Sequence, residues 1–312
     1  MTQPDVAIVL VTFNSADWVN RCLDAIPAAL DGREAEIVVV DNASSDESAA
    51  LVEQGYPGVT LIRNAENVGF AKAVNRGAAA TTAPWVLLLN PDMEARPRAL
   101  RNLLEFAEKN PDNGLYGGRT LTVDGELERS SCWGLPTVWS TFCFAVGLST
   151  AFKHSPVFDP ESLGRWQRDS VREVGMVTGC LFLVRRDDWQ RLGGLDERYF
   201  VCGEDADFSA RARAHGMRPV VTPDAEVVHA VGKSSTSQAG STPLMLAGRV
   251  VYARMHFPRG SAALVVTLLR TGVAVRALGS RCTGRAPKWL ATWRRRSEWW
   301  QGFPAAATPP GS

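Results

Sequence analysis

Apolar residues in this chain come in two rhythms. Near the N-terminus they gather in short, mostly apolar runs, over residues 6–13, 37–40 within 36–41, 59–62 and 85–89. Each is rich in Val, Ile or Leu and too short for a buried helix, so each reads as a buried strand. Between the runs, polar starts lead into stretches with helical spacing. Asn14 or Ser15 is placed to cap a helix through about residue 29, a Ser-rich turn opens one at 48–53, and a third covers 71–80. Strand and helix in alternation predict βαβ units, right-handed crossovers and a parallel sheet. Farther on, residues 97–110 read as an amphipathic helix with Leu100, Leu103, Leu104, Phe106 and Ala107 inward. Residues 115–122 and the end of 174–186 read as further strands, and 219–229 as a last strand closing on a histidine.

The strand ends carry polar groups. Thr12 and Asn14 close the first run, Asp41 the second, and Asn90-Pro91-Asp92 the fourth. In an open α/β sheet the carboxyl ends of the strands are where ligands bind. Two carboxylates beside a hydroxyl and amides suit a nucleotide, its ribose and a metal ion. No Gly-x-Gly-x-x-Gly follows the first strand and no Gly-x-x-x-x-Gly-Lys-Ser/Thr occurs, which argues against a dinucleotide dehydrogenase or a P-loop enzyme. A nucleotidyltransferase normally needs a basic, glycine-rich triphosphate loop near the first strand, and none is present. Plainer readings stand beside these. Asn90-Pro91-Asp92 alone is a common turn, Asn67 suits a helix cap, and Lys72 with Arg76 suits a solvated helix face. The acids Glu204, Asp205 and Asp207 suit a helix start.

Composition narrows the class. The 312 residues, 45% hydrophobic and 21% charged, are those of an ordinary globular protein with ample core material. The net charge of +1 hides an asymmetry: residues 259–312 hold nine Lys and Arg against Glu298 alone, and the rest is acidic. A basic tail points to an anionic surface. The six cysteines show no Cys-x-x-Cys spacing, the pattern of reduced thiols in a cytosolic protein. The start has no basic n-region of a signal peptide. No stretch offers ~18 uncharged apolar residues, since Arg270 and Arg276 interrupt the best candidate.

Four motifs in order, Val11-Thr12-Phe13-Asn14, Val40-Asp41-Asn42-Ala43-Ser44-Ser45-Asp46, Asn67-Val68-Gly69-Phe70-Ala71-Lys72-Ala73-Val74-Asn75-Arg76-Gly77 and Leu89-Asn90-Pro91-Asp92, resemble glycosyltransferase family 2, nearest its bacterial rhamnosyltransferase branch. The resemblance runs over residues 6–231. It implies a GT-A fold, a Rossmann-like, mostly parallel sheet flanked by helices, and a nucleoside-diphosphate sugar as donor. By position it implies that Asp41 contacts base or ribose and that Thr12, Asn14 and Asn42 lie under the nucleotide. Asn67, Lys72 and Asn75 then flank base and diphosphate, with Gly179 under the sugar. It also implies that Asp92 and His229 hold a divalent cation, Mn²⁺ or Mg²⁺. Asn90 stands where the family has the first acid of Asp-x-Asp, so the site brings one charge fewer. Asp205, with Glu204 beside it, matches the catalytic base of an inverting displacement, and Lys233 lies in a loop suited to close over phosphates.

The division expected is a GT-A domain over residues 1–258, with a variable acceptor-side segment at about 124–173, and a basic, Trp-rich helical tail over 259–312. The variable segment carries Trp133, Trp139, Phe142, Phe144, Phe152, Phe158 and Trp166, which suit either a small core of its own or an acceptor wall. In the tail, arginines interleave with Trp289, Trp293, Trp299 and Trp300, a pattern of interfacial membrane segments more than of nucleic-acid binding. Packing on the body or on a second subunit is the alternative. The last ten residues are proline-rich and read as disordered. The expectation is an inverting, metal-dependent transferase at the inner face of the cell membrane. Its donor would be dTDP-L-rhamnose and its acceptor a lipid-linked or envelope glycan. Galactofuranosyl or hexosyl transfer is the nearest rival, and a non-catalytic glycan- or membrane-binding protein on a transferase scaffold is the rival of another class.

Overall fold

The computed structural model describes residues 3–229, 235–284 and 286–303, with backbone alone for 235–240. Lys233, the rest of its loop at 230–234, and the proline-rich end at 304–312 lie outside these residues. In chain order the elements begin β1 (Val6–Thr12), α1 (Val19–Leu30), β2 (Ala35–Asp41), α2 (Ser48–Gly55), β3 (Thr60–Arg63), α3 (Phe70–Ala79), β4 (Trp85–Leu89), β5 (Met93–Ala95), α4 (Ala99–Lys109) and β6 (Leu115–Thr122). Two short strands, β7 (Leu127–Glu128) and β8 (Cys132–Trp133), lead to α5 (Val138–Val146) and α6 (Leu148–Ala151). Then come β9 (Arg172–Glu173), β10 (Met176–Val177), β11 (Leu181–Arg185), α7 (Arg186–Arg191), α8 (Glu204–Ala214) and β12 (Val220–His229). The chain closes with α9 (Ser235–His256), α10 (Arg259–Thr283) and α11 (Pro287–Arg294).

The chain forms two compact units. The larger comprises Met1–Trp133, Trp166–Asp196 and Asp205–Gly232, and holds the sheet, ordered β3-β2-β1-β4-β11-β6-β12-β5. Its first four strands are parallel, as the βαβ pattern requires; β11 then runs antiparallel to both β4 and β6. Every residue of β1 and β4 is buried, which is why these runs show no alternation. Helices α1 and α4 turn Val19, Cys22, Leu23, Ile26, Leu100, Leu103 and Leu104 into the core on one side of the sheet, while Phe106 is only partly buried against it. Two helix starts differ from the expectation. Helix α1 begins at Val19 with no side-chain cap, because Asn14 is in the left-handed region (φ 54°) and its side chain turns to Ser45. Helix α3 begins at Phe70 behind Gly69, whose φ of 88° suits only glycine.

The smaller unit is drawn from three stretches, Gly134–Arg165, Glu197–Glu204 and Lys233–Ser312. Its core is Leu246, Ala247, Val250, Ala253, Val265, Val266, Leu269, Val273 and Trp299. The tail tryptophans serve this core. Trp299 is fully buried, and Trp289, Trp293 and Trp300 pack partly buried around it. For the tryptophans this packing is the alternative left open by the sequence, and its cause is the apolar side of α10 on which they close. Arg270 and Arg276, which interrupt that helix's apolar run in sequence, lie over the rings of Trp300 and of Phe144 and Trp289. Among the described residues α10 is the one helix long and apolar enough to cross a membrane by length and composition.

Candidate active site

The carboxyl ends of β1 and β2 form one hydrogen-bonded floor. Thr12 Oγ1 donates to Asp41 Oδ1 at 3.0 Å, and the Ser44 N–H donates to Asp41 Oδ2 at 3.1 Å. Asn14 Oδ1 accepts from the Ser45 N–H at 2.8 Å, and the Asn14 N–H donates to Ser44 Oγ. Asn42, itself buried, donates to Asn67 Oδ1 at 2.7 Å and accepts from Asn64 and from the Val68 N–H. Asn67 also accepts from the Gly69 N–H, so it braces the entry to α3 without being the capping residue. Lys72 stands exposed on α3. Asn75 is turned elsewhere: its amide donates to Leu195 O at 2.8 Å and accepts from Leu195 N–H at 2.9 Å. That pins the Gly193–Gly194 turn and makes Asn75 a positioning residue.

At the end of β4 the chain turns at Asn90, whose carbonyl accepts from the Met93 N–H. Gly179 lies against this turn. A Cβ there would meet the Phe70 ring at 3.6 Å and Asn90 Oδ1 at 3.8 Å. The Gly179 N–H in turn hydrogen-bonds the Asp205 carboxylate, which also accepts from the Ala206 N–H at 2.7 Å. Gly179 thus ties the start of α8 to the end of β4. Burial raises the Asp205 carboxyl to about 6 against the pull of these backbone donors. Glu204, one residue earlier, is buried at the first position of α8. Beside Gly179, burial pushes the Cys180 thiol up to about 12, so it stays protonated and is a poor nucleophile.

A second cluster follows from strand register. Strand β12 lies between β5 and β6, with His229 opposite Met93 on one side and Thr122 on the other, and β7 pairs with β6. Asp92, His229 and Glu128 therefore stand in a row. His229 Nε2 is 3.0 Å from Asp92 Oδ2, and its Nδ1 is 2.7 Å from Glu128 Oε2. Burial works to lower the basicity of His229, but the hydrogen bonds to Asp92 and Glu128 override it and push its pKa up to about 10. Glu128 was not singled out in the sequence; it sits in a two-residue strand of the irregular segment, where no periodicity marks it.

The donor set suits a hard divalent cation. Asp92 Oδ1 is buried with no hydrogen-bond partner, beside an imidazole nitrogen and a second carboxylate oxygen. Among the described residues no three His, Cys, Asp or Glu side chains group as a complete metal cage. One carboxylate and one imidazole leave positions for water and for a ligand's phosphate oxygens, the usual way Mg²⁺ or Mn²⁺ is shared with a diphosphate.

Residues 7–188 match the family model for glycosyl transferase family 2. The chain belongs to that family. This glycosyltransferase is 30% identical over 240 residues to an N-acetylglucosaminyl-diphospho-decaprenol L-rhamnosyltransferase of Mycobacterium tuberculosis (strain CDC 1551 / Oshkosh), covering 71% of this chain and 75% of that one. It is 29% identical over 247 residues to the succinoglycan biosynthesis protein ExoO of Rhizobium meliloti (strain 1021), covering 75% of this chain and 63% of that one. Among solved structures it resembles a mannosyltransferase from Pyrobaculum calidifontis in complex with GDP-Man and Mn²⁺, with a TM-score of 0.56 at 20% identity, covering 95% of this chain and 81% of that one. The glycosyltransferase therefore has the GT-A fold expected from its motifs, with the helical C-terminal tail present.

Proposed function

We propose that this glycosyltransferase moves L-rhamnose from dTDP-L-rhamnose, with inversion, to a lipid-linked or cell-envelope glycan at the inner face of the cell membrane. The donor and acceptor classes are supported by the name of the mycobacterial relative. The transfer chemistry rests on one observation: the Gly179 backbone, beside the Asn90–Asp92 turn, hydrogen-bonds the partly buried Asp205 carboxylate. Asp205 accepts the proton of the acceptor hydroxyl as that oxygen attacks the anomeric carbon from the face opposite the leaving group. A carboxyl lifted to about 6 is ionised at neutral pH yet basic enough to take a proton in the transition state. Asp92 and His229, the latter after releasing the proton it shares with Asp92, would hold Mn²⁺ or Mg²⁺, which when bound neutralises charge on the departing diphosphate. Glu128 accepts from His229 Nδ1 and so leaves Nε2 turned to the Asp92 side. The floor of Thr12, Asn14, Asp41 and Asn42 receives the nucleotide.

The test is thermal stabilisation by a panel of dTDP-, UDP- and GDP-sugars, each with and without Mn²⁺ or Mg²⁺. A ligand bound to the native state raises its stability by mass action. The expected result is a metal-dependent shift, largest for dTDP-L-rhamnose. A larger shift for UDP-galactofuranose or another hexose donor would replace the rhamnosyl reading. No shift with any nucleotide would favour a non-catalytic scaffold.

A further inference from the structure

Ten of the thirteen large apolar side chains left exposed among the described residues belong to the smaller unit. Trp139 (46% exposed), Phe142 and Phe152 (52% exposed) form a surface cluster with the half-buried Phe158: Trp139 stacks on Phe142 at 5.6 Å, and Phe158 lies 6.4 Å from Trp139 and 5.1 Å from Phe152. The Trp139 indole N–H donates to Val157 O at 2.6 Å, so covering this ring leaves no polar group unpaired. Val146 and Val157 add to the exposed set, and Lys153 stands exposed next to Phe152.

Helix α10 is the neighbour of this segment. Gly272 packs so closely on α5 that a Cβ would come within 2.8 Å of Ala145 Cα. The outer side of α10 presents Leu264, Thr267, Thr271, Val275 (58% exposed) and Leu278 (64% exposed), with no exposed charge between Arg259 and Arg281. That is possible because Arg276 turns onto Phe144 at 4.1 Å and Arg270 onto Trp300 at 5.1 Å. The unit carries fifteen Lys and Arg against five Asp and Glu, a net of +10.

We propose that the smaller unit docks on an anionic phospholipid surface through the Trp139–Phe142–Phe152 cluster and the outer side of α10. Apolar and aromatic side chains enter the headgroup boundary while Lys153 beside Phe152, and Arg259 and Arg281 at either end of the uncharged side of α10, meet lipid phosphates. Charge decides against a second copy as the occupant, since two units of +10 repel whereas an anionic leaflet attracts. The contact expected from sequence was the tail over 259–312; its helix α10 keeps an outward apolar side, while its tryptophans are committed to the unit's core. The proposal draws on the membrane-bound acceptor of the reading above only for its purpose.

The experiment is sedimentation of the full chain with phosphatidylglycerol–phosphatidylcholine vesicles and with phosphatidylcholine alone, without donor, metal or acceptor. Wild type is expected to bind only the anionic vesicles. Two variants, Trp139→Ser with Phe152→Ser and Val275→Asn with Leu278→Asn, are each expected to lower the partition coefficient at least tenfold while keeping the wild-type circular dichroism. Absence of wild-type binding to anionic vesicles overturns the proposal, as does undiminished binding by both folded variants. A wild-type dimer that both variants convert to monomer in light scattering overturns it in favour of a second copy. Transfer to a soluble acceptor is scored separately, so failure of vesicle docking and failure of the transferase reading are told apart.

Discussion

Asp205 carries a cost that its chemistry explains. Its carboxyl is raised to about 6 by burial, so the folded chain binds that proton more tightly than the unfolded chain does, with a reference value near ~4. The stability this confers is full below the unfolded value and is lost as pH rises through about 6. Asp205→Asn is therefore expected to be more stable than wild type at pH 7.5 by on the order of 3 kcal/mol from the linkage relation, read as a higher unfolding temperature. The same variant should lose transfer by at least ~10³-fold while its nucleotide affinity stays within about twofold, read by turnover and calorimetry. In the wild-type enzyme, kcat/KM should fall on the acid side with a midpoint near 6. Glu128→Gln tests the other cluster. Without the carboxylate on Nδ1, Mn²⁺ affinity measured by calorimetry should fall ~10- to 100-fold, with circular dichroism unchanged.

Strand ends explain why part of the site could be read from the sequence. Strand β1 is apolar until Thr12, β2 from Ile37 until Asp41 and β4 until Asn90 just beyond it, so the change from apolar to polar is visible in one dimension; in β12 only Val227 and Val228 lead into His229. Helix α4 is equally plain, because Leu100, Leu103 and Leu104 repeat at helical spacing. Pairings between distant strands were not visible. Glu128 reaches His229 only because β7 joins β6, and β6 joins β12, about a hundred residues along the chain. Asn75 was assigned to ligand by its neighbours in sequence, yet the turn at Gly193–Gly194 claims both ends of its amide. Tryptophans beside arginines look the same in sequence whether the rings face lipid or a helix. Strand β6 also has a tight limit. A Cβ at Gly118 would lie 2.1 Å from the Ala225 carbonyl oxygen and 2.6 Å from Leu181. Gly118→Ala should therefore lose more than ~3 kcal/mol in chemical denaturation, since backbone cannot give way as a flexible side chain can.

The whole molecule is nearly neutral by sum and divided in kind. The smaller unit's net +10 leaves −9 for the larger, with +1 for the chain. At a pH near its sequence pI of about 7.6, the protein is expected to be retained at low salt by both cation- and anion-exchange resins, and released from each by moderate salt. Retention by neither would show that the local charge densities cancel. The smaller unit's assembly from three stretches has a practical side for anyone shortening this chain. Helix α5 leans on α10 at Gly272, and Trp299 fills a core built from α9 and α10. Cutting at residue 258 would remove a roof, not trim a tail. It would uncover the inner faces of Val138 and Phe144 and leave a sticky fragment whose failure to bind vesicles would say nothing about lipid. Point changes on the outside of an intact roof are the informative kind.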